Sequence, residues 1–185
     1  MAATTRKAEV VLATAGIALS VFALYVEIRK EADEGYEALC DFNEHMSCSK
    51  VFTSDYGKFF SAIGIIPKDS ILDLPNAAYG TAFFTLFLAR PAVTAATGAK
   101  FARKLYLGLG ASAVCVSLAL AYVLRYVLED FCVVCASSYV VNGGLFAVAA
   151  ADFLSGGGEG DEVEANPKPK PKPRPNPKGG GKKQQ

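Results

Sequence analysis

Long apolar runs separated by short polar segments dominate the chain up to residue 153. A run of about 20 apolar residues is long enough to cross a hydrocarbon core of ~30 Å as a helix. The pattern predicts four such helices, over residues 10–28, 77–98, 105–128 and 131–153. The fold class that follows is an all-α membrane protein, a bundle of four transmembrane helices with a loop, residues 29–76, between helices 1 and 2.

The second predicted span is interrupted by Arg90 and Pro91. We expect Arg90 to extend to the nearer membrane interface and Pro91 to kink the helix without breaking it. The segment "KFARK", residues 100–104, is then a short basic turn. Spans three and four form a tight hairpin, and Asp152, near the far end of the fourth span, is expected to be interfacial.

The distribution of basic residues orients these spans. Arg6 and Lys7, the 100–104 segment and the basic tail all fall on one side, which the positive-inside rule makes cytosolic. Residues 1–9 are then cytosolic and the loop 29–76 is luminal.

The first run is too long for a simple signal peptide and no small-residue cleavage site follows, so we interpret it as an uncleaved anchor. The second half of the loop is apolar but broken by glycine and proline, which favours short amphipathic pieces on the membrane surface.

Residues 154–185 form a tail rich in alternating proline and lysine. This composition favours an extended, disordered cytosolic segment. Lys182 and Lys183 look like a dilysine signal for retrieval to the endoplasmic reticulum. The formal net charge of the chain is +1, which predicts no nucleic-acid partner. The long apolar runs instead predict a lipid bilayer as partner.

Five cysteines carry the candidate chemistry. Cys40, Cys48, Cys132 and Cys135 fall at or outside the luminal face, whereas Cys115 lies inside the third span. This distribution suggests two redox pairs and one bystander. Cys132 and Cys135 form a C-x-x-C motif at the start of span four, where a helix N-terminus stabilises a thiolate. We predict that Cys132 meets a protein thiol and that Cys135 meets a membrane-soluble substrate.

Cys40 and Cys48 are predicted to be a second pair that carries electrons from a soluble luminal dithiol protein, with Cys48 meeting Cys132 as the relay step. Permanent disulfides at either pair are the alternative, and the residues alone leave it open. A zinc site from these thiols and His45 is disfavoured by the C-x7-C spacing and an oxidising lumen, so we predict no metal.

Several polar and aromatic residues near the same face suit a quinone. Asn76 and Tyr139 can hydrogen-bond two carbonyl oxygens, and Phe52, Phe83 and Tyr79 can pack on a flat ring. Ordinary bundle packing is the alternative for each aromatic residue. Asn142 in span four is a candidate for either a functional or a packing role.

The combination of "ALCD" (38–41), "SCSKVF" (47–52), "KDSIL" (68–72), Asn76 with Gly80, and "DFCVVCASSYVVN" (130–142) resembles the vitamin K epoxide reductase family over residues 10–153. The resemblance implies a four-helix bundle around a quinone, with the long loop as a luminal cap. It implies that Cys135 attacks the substrate, that Cys132 is its partner, and that Cys40 and Cys48 are the shuttle pair. It also implies that Asn76 and Tyr139 bind the substrate oxygens.

The reaction implied by the family is reduction of vitamin K 2,3-epoxide to the quinone and then to the hydroquinone, which serves gamma-glutamyl carboxylase. No cofactor is permanently bound; vitamin K is the substrate and a luminal thioredoxin-like dithiol protein is the reductant. The implied location is the endoplasmic reticulum membrane. The alternatives are a quinone-coupled generator of protein disulfides, which uses the same residues with a different redox poise, and a non-catalytic four-span protein stapled by disulfides.

Overall fold

The structure, a computed structural model, describes residues 3–43, 45–68 and 70–156. Within these ranges the chain forms helices and no strand, apart from an isolated bridge between Asn43 and Met46. The helices are α1 (Ala3–Ala32), α2 (Cys48–Phe52), α3 (Phe59–Ala62), α4 (Asn76–Leu88), α5 (Arg90–Thr97), α6 (Ala99–Tyr126) and α7 (Val133–Gly156), with a 3-10 helix at Asp55–Lys58. The all-α prediction is confirmed.

Three helices, α1, α6 and α7, are long and apolar enough to cross a membrane. They contain most of three predicted spans but differ at their ends. The segment 100–104, predicted as a turn, instead belongs to the first turns of α6, because the turn lies at Gly98, whose φ of 86° favours glycine. Residues 154–156 complete α7, and the rest of the predicted tail, with Lys182 and Lys183, lies outside the described residues.

The predicted span 77–98 is two helices, α4 with 13 residues and α5 with 8. Pro91 has no backbone N–H and lies in the first turn of α5, where none is needed. The expectation that Pro91 only kinks one helix is therefore wrong: the chain stops one helix at Leu88 and starts another at Arg90.

Side chains from other helices bind the carbonyl groups at the end of α4. The Arg6 guanidinium donates to the carbonyls of Phe87 and Leu88 at 3.2 and 2.9 Å. The Tyr106 hydroxyl donates to the carbonyl of Leu86 at 2.7 Å. Unsatisfied backbone groups are costly away from water, so these donors make a helix break tolerable inside an apolar protein.

Arg90 is buried and does not extend to an interface, so that expectation is wrong. Its guanidinium donates to the carboxylates of Glu9 and Asp152, each at 2.6 Å, and lies 4.7 Å from the centre of the Tyr106 ring. Asp152 is also buried, which corrects its predicted interfacial place. A buried charge is stable only when it is paired, and this arrangement pairs α5 with both α1 and α7.

Close backbone approaches set the packing of the long helices. α4 packs along α1, and α7 packs against both α1 and α6. A Cβ atom on Gly16 of α1 would lie 2.5 Å from the ring of Phe84, and one on Gly110 of α6 would lie 3.0 Å from the Cα of Phe146. Small residues at such crossings let apolar helices gain van der Waals contact without a hydrophobic driving force.

We predict that Asp152→Asn lowers the stability of the helical domain by about 3–5 kcal/mol, because it leaves the buried Arg90 with one carboxylate fewer. Thermal unfolding of the protein in detergent measures the change. Glu37→Gln, at an exposed carboxylate of the loop, is the matched control and should leave the midpoint unchanged. Equal midpoints for the two variants would contradict the proposed role of the ion cluster.

Candidate functional site

Four of the five cysteines meet in one apolar cluster. Cys40, Cys48 and Cys132 are buried within it, and Cys135 packs against it. The sulfur atoms of Cys48 and Cys132 are 3.7 Å apart. The two cysteine pairs are therefore adjacent in space although 84 residues separate Cys48 from Cys132. Cys115 lies apart, on an exposed part of α6.

The C-x-x-C motif uses the N-terminus of α7. Cys132 directly precedes the helix, and its sulfur accepts a hydrogen bond from the backbone N–H of Cys135 at 3.2 Å. A sulfur in this position receives an otherwise unpaired N–H group and the positive end of the helix dipole. Both effects favour a thiolate at Cys132, but the neighbouring Cys135 thiol and burial outweigh them and raise the pKa of Cys132 above its ordinary value.

The Asp41 carboxylate holds the loop that carries Cys40 and Cys48. It accepts hydrogen bonds from the backbone of Ala38 (2.8 Å), the backbone and hydroxyl of Ser49 (3.0 and 2.6 Å) and the hydroxyl of Ser47 (3.0 Å). Partial burial by itself raises the pKa of Asp41, but these hydrogen bonds to the charged form outweigh it, and the pKa lies below its ordinary value.

A second carboxylate ties this loop to the start of α7. Asp130 accepts from the backbone N–H groups of Ser47 and Phe131 at 3.1 and 2.9 Å, and Phe131 also donates to the carbonyl of His45 at 2.9 Å. His45 thus contributes its backbone to the contact. In the ranges that the structure describes, no three His, Cys, Asp or Glu side chains converge as metal ligands.

The loop thiols are protonated in this arrangement. Burial, and then the neighbouring Cys48 thiol, raise the pKa of Cys40 to about 12. The adjacent Cys132 thiol and burial raise the pKa of Cys48. An apolar environment disfavours the thiolate, so the loop pair is a poor nucleophile until a partner or a proton acceptor approaches.

A cavity of about 290 Å³ lies beside Cys135, bounded by α1, α2, α4, α6 and α7. The buried Cys132 is not among its lining residues. Five predicted substrate contacts line it together with Cys135: Phe52, Asn76, Tyr79, Phe83 and Tyr139. Mostly apolar walls with a few polar groups are typical of sites for hydrophobic ligands. The arrangement places one thiol of the C-x-x-C motif against the loop pair and the other against the cavity.

Asn76 also has a structural role that its sequence position did not reveal. Its Oδ1 accepts from the N–H of Phe59 at 3.0 Å, and its Nδ2 donates to the carbonyl of Tyr56 at 2.7 Å. The amide has a second N–H to offer to a ligand. The Tyr79 hydroxyl donates to the carbonyl of Leu72, so Tyr79 offers the cavity mainly its ring.

Two further polar residues line the cavity. Asn142 donates to the hydroxyl of Ser117 at 2.9 Å, and its buried Oδ1 has no partner among the described residues. Glu27 is buried on α1 and was not singled out from the sequence. The available signal was its position, because a carboxylate inside an apolar span of 10–28 is expensive unless it has a function.

We predict that Asp41→Asn lowers the thermal midpoint at neutral pH, because the Ser49 and Ser47 donors lose their charged acceptor. The pKa of Asp41 is depressed by folding, so its contribution is present above the unfolded pKa of about 3.9 and is lost as pH falls through the folded value. The difference in midpoint between wild type and variant should therefore shrink below about pH 4. Asp33→Asn, at an exposed carboxylate that accepts from Gly35, is the control. A difference that persists unchanged at low pH would contradict this role.

Comparisons with known proteins agree with the geometry. The model of the vitamin K epoxide reductase family matches residues 8–150. Vitamin K epoxide reductase complex subunit 1 of Rattus norvegicus is 37% identical over 139 residues, which cover 75% of this chain and 84% of the relative. The protein of the same name from Mus musculus has the same identity and coverage. The chain belongs to the vitamin K epoxide reductase family and is an oxidoreductase of the membrane.

Proposed function

We propose that the chain reduces vitamin K 2,3-epoxide to vitamin K quinone, and the quinone to hydroquinone, with electrons from luminal thiols. One observation supports the proposal more than any other. Cys132 lies with its sulfur 3.7 Å from that of Cys48, while Cys135, three residues further on, lines the apolar cavity. The family of the chain and the names of its relatives point to the same substrate.

The relay begins with a disulfide between Cys132 and Cys135. The Cys48 thiolate attacks the sulfur of Cys132, a Cys48–Cys132 bond forms, and Cys135 leaves as a thiolate. Only a short closure from 3.7 Å to a bond of about 2.05 Å is needed. Cys40 then attacks Cys48 and releases Cys132. The result is a reduced catalytic pair and a Cys40–Cys48 disulfide, which a luminal thioredoxin-like dithiol protein reduces.

The substrate step occurs in the cavity. Cys135 attacks the substrate, and formation of the Cys132–Cys135 disulfide delivers two electrons. With the epoxide, attack by Cys135 opens the ring by breaking one C–O bond, the second C–O bond breaks after the disulfide has formed, and the oxygen leaves as water with two protons. With the quinone, the two ring oxygens take the two protons. The Tyr139 hydroxyl and the second N–H of Asn76 bind the substrate oxygens, and Phe52, Phe83 and Tyr79 pack on the ring. The chain keeps no permanent cofactor in this scheme.

We also propose the full membrane arrangement, in which α4 and α5 together form the fourth pass. Residues 76–97 would rise about 33 Å as helix, enough for a bilayer core. The loop then caps the luminal face, and its exposed apolar side chains would contact the interface: Ile63, Ile65, Ile71, Leu72 and Leu74. Both termini are cytosolic, the membrane is that of the endoplasmic reticulum, and the hydroquinone supplies gamma-glutamyl carboxylase.

We predict that microsomes containing the chain convert vitamin K epoxide to quinone with dithiothreitol as reductant. Cys135→Ala should abolish turnover, because it removes the attacking thiol. Cys132→Ala should lower it by about 100-fold or more, because the adduct on Cys135 cannot be resolved. Cys115→Ala changes a cysteine that is exposed and outside the cluster, and should keep wild-type activity.

Other outcomes of this assay distinguish the alternatives. Reduction of simple quinones without epoxide turnover would favour a quinone-coupled generator of protein disulfides. Absence of both activities in folded protein, with all four luminal cysteines paired, would favour a structural role for the disulfides and overturn the proposal.

We further predict that Cys40→Ala/Cys135→Ala traps the relay step. Only Cys48 and Cys132 then remain in the cluster, and mild oxidation should join them in a disulfide that mass spectrometry detects after alkylation. Cys48→Ala/Cys135→Ala, which removes the sulfur nearest to Cys132, is the control and should crosslink far less. Equal crosslinking in the two variants would argue against Cys48 as the relay thiol.

A further inference from the structure

A second hollow of about 230 Å³ adjoins the loop on the same side of the protein as the cysteine cluster. Its walls are polar and largely charged: Glu27, Glu31, Asp55, Lys58, Lys68 and Asp73, with Thr53, Ser54 and Ser61. Two residues, Glu27 and Phe52, line both this hollow and the cavity beside Cys135. The boundary between the polar hollow and the apolar cavity therefore contains one side chain that can carry a proton.

Glu27 differs in acidity from the other ionisable residues that line the cavity. Among the described lining residues it is the single carboxylic acid; the other ionisable groups are the Cys135 thiol and the phenols of Tyr56, Tyr79 and Tyr139. Its side chain is buried, at 6% exposure. Thiols and phenols hold their protons more tightly than a carboxylic acid, so Glu27 is the cavity group best suited to give a proton to a substrate oxygen.

A comparison with the other buried glutamate shows why Glu27 is not explained by packing. Glu9 is held in ion pairs with Arg6 and Arg90, as a structural charge should be. In the described part of the chain, Glu27 has no salt-bridge partner. A buried carboxylate without a paired cation is costly, and such a group exchanges protons more readily than a paired one.

We propose that Glu27 is the proton-transfer residue of the cavity, and this inference rests on the proposed function. Each reduction takes two electrons from the Cys132 and Cys135 sulfurs, which form a disulfide, and adds two protons to the substrate. Glu27 gives the first proton to a substrate oxygen and, once it is protonated again, gives the second; the oxygen leaves as water from the epoxide, and the quinone oxygens become the hydroxyls of the hydroquinone. The carboxylate then regains a proton from the polar hollow, which is the route from the luminal side.

Charged groups on each element around the hollow affect this step. Glu31 lies one turn further on α1, Asp55 and Lys58 come from the 3-10 helix, and Lys68 and Asp73 come from the loop before α4. On the cavity side the titratable neighbours are Cys135 and the three tyrosines. The control therefore lies outside both spaces: Glu37→Gln changes an exposed carboxylate of the loop that lines neither the hollow nor the cavity.

The test compares kcat for vitamin K epoxide across pH in wild type, Glu27→Gln, Glu27→Asp and Glu37→Gln. Glutamine keeps the size of the side chain but has no acid proton. Loss of a general acid typically costs 10²–10⁴-fold, so we expect Glu27→Gln to lower kcat by about 100-fold and to remove one limb of the pH profile. Glu27→Asp should recover part of the rate, and Glu37→Gln should retain the wild-type rate. Reduction of the Cys132–Cys135 disulfide by dithiothreitol, without quinone, should be unchanged in all four proteins.

The possible failures are distinguishable. If wild type turns over neither epoxide nor quinone, the proposed function fails and this inference with it. If wild type is active and Glu27→Gln keeps its rate and pH profile, only the role of Glu27 is overturned. If Glu27→Gln slows thiol exchange as much as turnover, Glu27 supports the structure of the site and is not its proton donor.

Discussion

The whole candidate site depends on two carboxylates that hold the loop against the start of α7. Asp41 gathers the N–H and hydroxyl groups around Cys48, and Asp130 binds the same loop from the turn before Cys132. The Asp41 bonds are local, whereas the bond between Asp130 and Ser47 joins residues that are 83 positions apart in the chain. Without them nothing in the local sequence would place the sulfur of Cys48 within 3.7 Å of that of Cys132.

The opposite end of the bundle contains a helix break and a cluster of buried charges. Pro91 ends a helix in an apolar setting, where free carbonyl groups and free charges are both costly. Arg6 and Tyr106 donate to the freed carbonyls, and Arg90 binds two buried carboxylates. At the helix break and in the adjacent ion cluster, polar side chains from several helices thus supply the hydrogen bonds and ion pairs that buried carbonyl groups and charges need. Glu27 is also buried but lacks such a partner in the described chain. Glu9 therefore has a structural role in an ion pair, whereas we propose a role in proton transfer for Glu27.

The position of the C-x-x-C motif in the bundle determines which reactive group faces the cavity. One thiol of the C-x-x-C motif contacts the loop, and the other contacts a mostly apolar space. In the proposed function, this arrangement lets electrons pass from a soluble protein thiol to a lipid-soluble acceptor while each stays in its own phase. The Asn76 side chain has two roles: its amide binds the backbone of Tyr56 and Phe59, and it keeps one N–H for a ligand.

The sequence by itself determined the helical class, three of the long apolar helices and the four cysteines, because hydrophobic periodicity and thiol spacing are local properties. Part of the cavity wall was also predicted from the sequence, since Asn76 and Tyr139 belong to motifs that resemble those of a known family, and both line the cavity. The break at Ala89, the burial of Arg90 and Asp152, and the start of α6 at Ala99 did not follow. Whether a charge is exposed or paired depends on which side chains other helices bring to it, and only the tertiary structure decides that. The same reason applies to Glu27, whose sequence position shows a costly carboxylate but not the two cavities that it separates.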